Sequence, residues 1–282
     1  MQNYYLIGSP IAHSKSPAMM NTSFSILKID AHYGLREATV ERAPAVVDSL
    51  REENAAGWNI TMPCKEIMAA LCDELATASR IGGSVNTVKN INGRLFGYTT
   101  DGIGFVSAIR SLGTDVTGKK IVLLGTGGAA SAILIQAALE KAAEIAVFFH
   151  RPESGRKAAE MAEKLSDVSP TVIHLYRYDA AFMKKEILSC DILVNATNVG
   201  MDTGKAGGAS CLIPDASFLA SRPLVYDIIY HPAMTPLLQM ADAAGCRTGN
   251  GLSMLLGQGA ASFKIWTGCD MPEEQVLEKV FR

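Results

Sequence analysis

The feature that most constrains this chain is a run of glycines between a short apolar segment and a helical pattern. Ile121–Leu124 is wholly apolar, as expected for a strand in a parallel sheet that is covered on both faces. It is followed directly by Gly125-Thr126-Gly127-Gly128-Ala129-Ala130, which reads G-x-G-x-x-A. In such a turn the first glycine permits a sharp bend and the second lets the backbone approach a phosphate. The small third residue lets helix and strand pack closely.

A helix is predicted to follow over Gly127–Lys141, so its free N–H groups and partial positive charge point at the turn. The strand, turn and helix together predict a dinucleotide-binding site. Its residues are Gly125, Thr126, Gly127, Gly128 and Ala129. The alternative is a tight turn with a purely structural role, and the flanking strand and helix favour binding.

The rest of the 282-residue chain predicts an α/β protein, because apolar runs and helical patterns alternate along it. The strands predicted after the turn are 144–149, 171–175, 192–195 and 224–226, and this order is typical of a doubly wound sheet. The strands predicted before it are 4–7, 32–36, 57–60, 85–90 and 95–98. Asn92-Gly93 predicts a hairpin between the last two. Segments 251–267 and 272–281 read as C-terminal helices.

Composition excludes several classes of function. The net charge is −2, so no basic surface for nucleic acid is expected. The six cysteines form no C-x-x-C pair and have no histidine cluster beside them, so neither a metal site nor a disulfide framework is expected. The start does not resemble a signal peptide, and the apolar stretches are too short to span a membrane. These features favour a cytoplasmic protein.

The residue at the end of the first strand after the turn, 144–149, should contact the cofactor's adenosine ribose and so discriminate between NAD and NADP. An acidic residue there would bind the 2′-hydroxyl of NAD, whereas a cation would accept the 2′-phosphate of NADP. Here the strand is followed by His150-Arg151-Pro152-Glu153, with no acid at the expected position. Arg151 favours NADP, Glu153 argues for NAD, and both could simply be solvated loop charges. We expect NADP, with NAD as the alternative.

Polar side chains also collect in the first half of the chain. Ser14 and Ser16 stand at the entry to a predicted helix, where Ser16 before a proline reads as an ordinary N-cap. Asn59, Thr61 and Lys65 follow the strand that ends at residue 60, where open α/β sheets bind ligands. Asn86 lies beside another strand. Asp101 begins the connecting helix, so it is either a cap or a functional carboxylate.

Taken together, these motifs resemble the shikimate dehydrogenase family over nearly the whole chain. The matching segments are Gly8-x-Pro10-x-x-His13-Ser14-x-Ser16-Pro17, Asn59-x-Thr61-x-Pro63-x-Lys65, Val85-Asn86-Thr87, Thr100-Asp101-Gly102-x-Gly104, Gly125–Ala129, Asn195–Met201, Tyr226-Asp227-x-x-Tyr230-x-Pro232 and Gly251-x-x-Met254-Leu255-x-x-Gln258. The resemblance implies reversible reduction of 3-dehydroshikimate to shikimate with NADPH, in aromatic amino-acid biosynthesis. It also implies an N-terminal α/β substrate domain, residues 1–101 completed by 251–282, and a Rossmann-type NAD(P)-binding domain, residues 102–250.

The resemblance also assigns roles to individual residues. Lys65 and Asp101 would form the catalytic pair, and Ser14 and Ser16 would hold the substrate carboxylate. The residues expected to bind the ring hydroxyls or close the site are Asn59, Thr61, Asn86, Gln258 and Tyr230. The residues expected to contact the cofactor, besides the turn, are His150, Arg151, Glu153, Thr197, Asn198 and Gly251. The chain is expected to act on a small molecule as a monomer or homodimer.

Two segments depart from the family pattern. Thr99 replaces the usual asparagine of Asn-Thr-Asp, and His150-Arg151-Pro152 replaces Asn-Arg-Thr. Pro152 followed by Glu153 is more similar to the quinate/shikimate branch, which tolerates or prefers NAD. A quinate dehydrogenase is therefore an alternative. A non-catalytic dinucleotide sensor is a third, although such a protein would be expected to lack Lys65 or Asp101.

Overall fold

The computed structural model describes residues 1–202 and 210–281, which form two compact units. One unit comprises Met1–Gly104 with the C-terminal segment that begins at Leu256, and the other comprises Phe105–Leu255. The predicted domain boundaries, after residues 101 and 250, lie a few residues before those of the units. The assignment of substrate to the first unit and of cofactor to the second remains a prediction.

Strands and helices alternate along the chain, as predicted for an α/β protein. The strands are β1 (Gln2–Gly8), β2 (Ala31–Glu37), β3 (Gly57–Ile60), β4 (Glu74–Leu75), β5 (Thr87–Ile91), β6 (Arg94–Tyr98), β7 (Lys120–Leu124), β8 (Glu144–Phe149), β9 (Val172–Arg177), β10 (Ile192–Asn195), β11 (Leu224–Asp227) and β12 (Thr248–Asn250). The helices are α1 (Ser16–Leu27), α2 (Ala43–Glu52), α3 (Lys65–Leu71), α4 (Thr77–Gly82), α5 (Asp101–Ser111), α6 (Gly128–Leu139), α7 (Pro152–Ser166), α8 (Ala180–Leu188), α9 (Pro236–Ala243), α10 (Gly251–Thr267) and α11 (Glu273–Val276).

The first unit contains a mixed sheet in the order β2-β1-β3-β5-β6-β4. β1 is parallel to both β2 and β3, whereas β5 is antiparallel to β3 and β6. The predicted hairpin joins β5 to β6, and Asn92 and Gly93 have φ of 53° and 86°, as a type I′ turn requires. The antiparallel pairing places the end of β3 beside the start of β5. The polar residues that follow β3 and precede β5 are thereby brought together.

The C-terminal helices complete the core of this unit. Phe263 and Trp266 of α10 are buried with Tyr4 of β1 and Phe24 of α1. The predicted helix over 272–281 is instead the short α11 followed by a π-helical turn, Leu277–Phe281. Within this turn the apolar side chains of Leu277, Val280 and Phe281 pack against the same core. This packing gives the wider turn a physical reason.

The second unit contains a fully parallel sheet in the order β12-β11-β10-β7-β8-β9. The chain runs outward from β7 through β8 to β9 and then returns to β10 on the other side. This confirms the doubly wound topology, whose switch point lies between β7 and β10. The apolar residues of β7, β8, β10 and β11 are buried, except for the half-buried Phe149 at the end of β8, as predicted for strands covered on both faces. Within residues 1–202 and 210–281, no helix has the length and apolar character needed to cross a bilayer.

Candidate active site

Lys65 and Asp101 form an ion pair in the first unit. Lys65 begins α3, just after the loop that follows β3, and Asp101 begins α5. Lys65 Nζ donates to Asp101 Oδ2 at 2.5 Å, and the two side chains are 29% and 17% exposed. The carboxylate of Asp101 is therefore engaged by a side chain from another element, which a helix-capping role does not explain. The ammonium group keeps two further N–H donors for other partners.

Asn86 holds the other oxygen of the same carboxylate. Its Nδ2 donates to Asp101 Oδ1 at 2.8 Å. Its Oδ1 accepts the backbone N–H of Thr100 at 2.8 Å. Because that N–H can only donate, the amide oxygen must face Thr100 and the amide nitrogen must face Asp101. The structure thus brings Lys65, Asn86 and Asp101 into one hydrogen-bonded group.

Asn59 lies deeper than the sequence suggested. It is buried, and its Oδ1 accepts the Tyr33 hydroxyl at 2.8 Å. Its Nδ2 donates to the carbonyl oxygen of Asn86 at 3.1 Å. The polar atoms of Asn59 therefore support the backbone at Asn86. This geometry favours a positioning role over the contact with a ring hydroxyl that the resemblance implied.

The two serines stand at the start of α1. Ser14 Oγ accepts the backbone N–H of Ser16 at 3.2 Å. The N-cap position belongs to Lys15, whose side chain makes no capping hydrogen bond. The expectation that Ser16 is the N-cap is therefore wrong by one residue, because Ser16 is already helical. Both serines are half-buried, and the Ser14 hydroxyl can still donate its hydrogen.

The remaining residues expected to bind substrate are divided between the units. Thr61 is half-buried just after β3, and its N–H donates to the carbonyl of Ile7 at 2.8 Å. Gln258 is half-buried on α10 in the first unit. Tyr230 belongs to the second unit, follows β11 and is 53% exposed.

The glycine turn has the backbone geometry that its sequence predicts. Gly125 has φ of +114°, and a Cβ there would lie 2.9 Å from the carbonyl oxygen of Ala196. Gly127 is the N-cap of α6, and a Cβ on Gly127 or Gly128 would meet nothing within 4 Å. The turn therefore leaves open space in front of the N-terminus of α6. This space and its N–H donors fit a pyrophosphate.

Two clefts of the second unit adjoin the turn. One, of about 420 Å³, is lined by Gly127, Gly128, Ala129, Ala196, Thr197, Asn198, Met201, Asp202 and the segment Ile228–His231. The other, of about 440 Å³, is lined by residues that include Gly125, Thr126, Gly127, His150, Arg151, Ser154, Tyr178, Thr197 and Asn198. Because Gly127 and Thr197 line both, the clefts suit the two halves of one dinucleotide.

The larger cleft, which lies beyond the end of β8, is lined by only one of the two charged residues that could bind the ribose. Arg151 lines it, whereas Glu153 lies exposed in the first turn of α7 and is not among the lining residues. The His150 ring stacks on Tyr178 with centroids 4.5 Å apart, and both rings line the same cleft. The arrangement favours a cation over an acid as the group that meets a ribose substituent. Sequence reasoning missed Tyr178, which only the pairing of β8 with β9 brings here.

A buried carboxylate connects the two loops that line the smaller cleft. Asp227, at the end of β11, accepts hydrogen bonds from Asn195 Nδ2 at 3.0 Å, Ile229 N at 3.0 Å and Thr235 Oγ1 at 2.7 Å. Burial raises the pKa of Asp227, and these three donors act in the opposite direction. Asn195 Oδ1 also accepts the N–H of Thr197 at 2.9 Å. The family motifs contain both Asp227 and Asn195, and their sequence alone indicates no role for either side chain.

Gly251 has a packing requirement of its own. It begins α10, its N–H donates to the carbonyl of Ile229 at 3.1 Å, and a Cβ there would collide with the carbonyl oxygen of Ile228. A glycine is needed at this position because the backbone that follows β11 passes directly over it. Its expected contact with the cofactor remains a prediction.

Comparison with known proteins identifies related sequences. Residues 6–88 match the model of the shikimate dehydrogenase substrate binding domain, and residues 251–281 match that of the shikimate 5′-dehydrogenase C-terminal domain. The chain is 39% identical over 277 residues to the shikimate dehydrogenase (NADP(+)) of Listeria monocytogenes serotype 4b, covering 98% of this chain and 94% of that protein. It is also 39% identical over 279 residues to an Escherichia coli quinate/shikimate dehydrogenase, covering 98% and 96%.

The fold agrees as well. The crystal structure of shikimate 5-dehydrogenase from Listeria monocytogenes, in complex with shikimate and NAD, superimposes with a TM-score of 0.94 at 39% identity. That match covers 99% of this chain and 96% of the other. The chain therefore belongs to the shikimate dehydrogenase family.

Proposed function

We propose that this chain catalyses the reversible, NADPH-dependent reduction of 3-dehydroshikimate to shikimate in aromatic amino-acid biosynthesis. The observation that carries the proposal is the Lys65–Asp101 ion pair, held by Asn86 in a unit that is separate from the glycine turn. The full-length similarity to a shikimate dehydrogenase (NADP(+)) supports the same reaction.

Lys65 is the group that can act on the reacting carbonyl. The reduced nicotinamide cofactor, when bound, supplies the hydride to the carbonyl carbon. Negative charge then develops on the carbonyl oxygen, and an ammonium group at that point stabilises the charge and delivers the proton that completes the alcohol. In the reverse direction Lys65 would accept the proton from the hydroxyl. One hydrogen of the ammonium group remains hydrogen-bonded to Asp101, which keeps Nζ in place.

The substrate's other groups would meet neutral donors. Ser14 and Ser16 can donate hydroxyl hydrogens to a carboxylate without adding a formal charge. We assign the ring hydroxyls to Asp101, Thr61 and Gln258. Asn86 and Asn59 would act mainly by positioning, because their amides are already engaged within the protein. We retain Tyr230 as a group that helps to close the site.

NADP is the cofactor we propose, with NAD as the weaker alternative. Arg151 lines the cleft beyond β8 and Glu153 does not, so a 2′-phosphate would meet a cation there. Thr197 and Asn198 line both clefts and would contact the cofactor near its nicotinamide half. We further propose that the chain works in the cytoplasm as a monomer or homodimer.

A second candidate is a quinate/shikimate dehydrogenase that uses NAD. The observation in its favour is equal identity, 39%, to the Escherichia coli quinate/shikimate dehydrogenase and to the Listeria enzyme. Pro152 and Glu153 after β8 point the same way. One additional ring hydroxyl can be accommodated by a single altered contact, so the two substrates can share one site.

A steady-state matrix of shikimate and quinate against NADP⁺ and NAD⁺ tests both candidates. We expect the highest kcat/KM for shikimate with NADP⁺, measured as formation of the reduced cofactor. A higher kcat/KM for quinate with NAD⁺ would favour the second candidate. Cofactor binding without turnover in all four combinations, over a range of pH, would contradict both and favour a dinucleotide sensor.

A further inference from the structure

Three fully buried hydroxyl groups adjoin Asn86 in the first unit. Thr87 begins β5, Thr100 precedes α5 and Ser262 lies on α10. The Oγ atoms are 2.7 Å apart for Thr87 and Ser262, 3.2 Å for Thr100 and Ser262, and 3.3 Å for Thr87 and Thr100. We call these three residues the hydroxyl cluster. It joins segments that are far apart in the sequence beside the Lys65–Asp101 pair.

Asn59 donates to the hydroxyl cluster through a side-chain amide whose orientation is fixed. Asn59 Nδ2 lies 3.0 Å from both Thr87 Oγ1 and Ser262 Oγ. The amide cannot be reversed, because Nδ2 also faces the carbonyl of Asn86 and Oδ1 accepts from Tyr33. Burial raises the pKa of Tyr33 well above its ordinary value, so its hydroxyl keeps the hydrogen that it donates.

On its other side the hydroxyl cluster contacts the side chain of Asn86. The Oγ1 atoms of Thr87 and Thr100 lie 3.1 Å and 3.2 Å from Asn86 Oδ1. The Thr100 N–H donates to the same oxygen at 2.8 Å, whereas the one hydrogen of the Thr87 hydroxyl is shared between Asn86 Oδ1 and Ser262 Oγ as alternative acceptors. Asn86 Nδ2 donates to Asp101 Oδ1 at 2.8 Å and also lies 3.0 Å from Thr100 Oγ1 of the cluster. The orientation of the catalytic carboxylate thus depends on an amide whose own orientation the cluster sets.

Ser262 is the member that the C-terminal helix contributes. Its hydroxyl donates to the carbonyl of Gln258, 2.9 Å away in the preceding turn. Its oxygen is left to accept from Asn59 and from a threonine hydroxyl. The next residue, Phe263, is fully buried in the aromatic core, and Trp266 Nε1 donates to the carbonyl of Val88 at 2.9 Å. These anchors hold the Ser262 oxygen in place.

We propose that Ser262 is a positioning residue for the reaction, acting through Thr87 and Asn86 on Asp101 and hence on Lys65. The inference rests on the proposed function, because it concerns the same catalytic pair. Without the Ser262 oxygen, the Thr87 hydroxyl and Asn59 Nδ2 each lose an acceptor in a site that water does not reach. Asn86 is then held less firmly, and the Lys65 ammonium group is less often in its productive position.

The experiment compares Ser262→Ala with Ser23→Ala. Ser23 is an ideal control, because it is also fully buried in the first unit and also donates to a carbonyl one turn earlier, that of Met19, yet it does not touch the cluster. The readouts are kcat, both KM values and the primary deuterium isotope effect on kcat with specifically deuterated NADPH. An isotope effect reports on the chemical step and does not change when only the fraction of folded protein changes.

We expect Ser262→Ala to lower kcat by about ten-fold, the size of one lost hydrogen bond in the transition state, with a larger isotope effect and little change in the cofactor KM. Ser23→Ala should keep the wild-type kcat and isotope effect. If Ser262→Ala does not fold, Thr87→Val and Thr87→Ser decide by the same readouts, since serine restores the hydroxyl and should recover much of the kcat that valine loses.

Equal kcat and isotope effect in Ser262→Ala and Ser23→Ala would overturn the inference while leaving the proposed function intact. Equal loss in Thr87→Val and Thr87→Ser would overturn it as well, because a hydroxyl at position 87 would then restore none of the lost kcat. A wild-type protein that turns over none of the substrates instead contradicts the proposed function itself.

Discussion

The two candidate sites are built in different ways. The glycine turn is a contiguous stretch whose function depends on main-chain geometry: a positive φ at Gly125 and open space at Gly127. The Lys65–Asp101 site depends on side chains that converge from β3, α3, β5, α5 and α10. Its hydrogen bond from Asn59 to Ser262 joins residues 203 positions apart in the sequence. In the backbone site, substitutions are restricted at only a few glycine positions. In the side-chain site, the residues that must be kept are spread over the whole unit.

The largest expected effect is on the side-chain site. Lys65→Ala should lower kcat by about 10²–10⁴-fold, because it removes both the proton donor and the cation at the developing oxyanion. The dissociation constant of shikimate, measured by calorimetry, should change much less. Lys65→Arg is the matched control, since it keeps the charge but cannot easily give up a proton. Normal turnover by Lys65→Ala would show that the catalytic role belongs elsewhere.

Two alanine substitutions distinguish folding from binding within the backbone site. Gly125→Ala should destabilise the second unit by about 1–3 kcal/mol, because φ is +114° and the Cβ would crowd the Ala196 carbonyl. Gly127→Ala should fold normally, because its Cβ meets no protein atom within 4 Å. It should raise the cofactor KM by about ten-fold or more by blocking the approach of the pyrophosphate.

Thermal unfolding and steady-state kinetics measure these two effects separately. The shikimate KM is the internal control, and it should stay near the wild-type value in Gly127→Ala. If Gly127→Ala leaves the cofactor KM unchanged, the open space before α6 is not where the pyrophosphate binds.

A smaller effect is expected at the ribose end of the cofactor cleft. Arg151→Ala should raise the KM for NADP⁺ by about ten-fold, the loss of one charge-assisted contact, and leave the KM for NAD⁺ nearly unchanged. Glu153→Gln is the control, and because Glu153 does not line the cleft it should alter neither. Equal increases for both cofactors in Arg151→Ala would mean that Arg151 contacts a group that NADP⁺ and NAD⁺ share.

The smallest expected effect is a pH dependence of stability at Asp227. Burial raises its pKa in the folded protein above the ordinary value of 3.8, so the folded chain binds the proton more tightly than the unfolded chain. The stabilisation from this proton is complete below 3.8 and is lost as pH rises through the folded pKa. Asp227→Asn cannot titrate. The Tm of the wild type relative to this variant should therefore fall as pH increases from about 4 towards neutrality.

Thermal unfolding of both proteins across this range checks the sign. Asp242→Asn, on an exposed residue of α9, provides a carboxylate control. A wild-type advantage that grew with pH would contradict the raised pKa and would mean that the three hydrogen bonds outweigh burial.

Much of the architecture could be predicted from local patterns. The doubly wound sheet follows from apolar strands that alternate with helices, and the hairpin follows from Asn92-Gly93, because both depend on residues near each other in the sequence. The Ser16 cap was misplaced by one residue, because a helix start depends on backbone angles that a Ser-x-Ser-Pro run does not specify. The helices α3, α4, α8 and α9 and the strands β4 and β12 were not predicted, since these elements are short and tertiary packing decides them.

By itself the sequence determined the family, the glycine turn and the residue types of the proposed catalytic pair, because these reside in short motifs whose chemistry needs particular residues at particular spacings. Only the tertiary structure decided that Asn59 donates to the carbonyl oxygen of Asn86, that Arg151 and not Glu153 lines the cleft, and that Ser262 contacts Thr87 and Thr100. The physical reason is that hydrogen bonds act over about 3 Å. The partners of a buried polar group are therefore set by how distant segments pack, which no local pattern encodes.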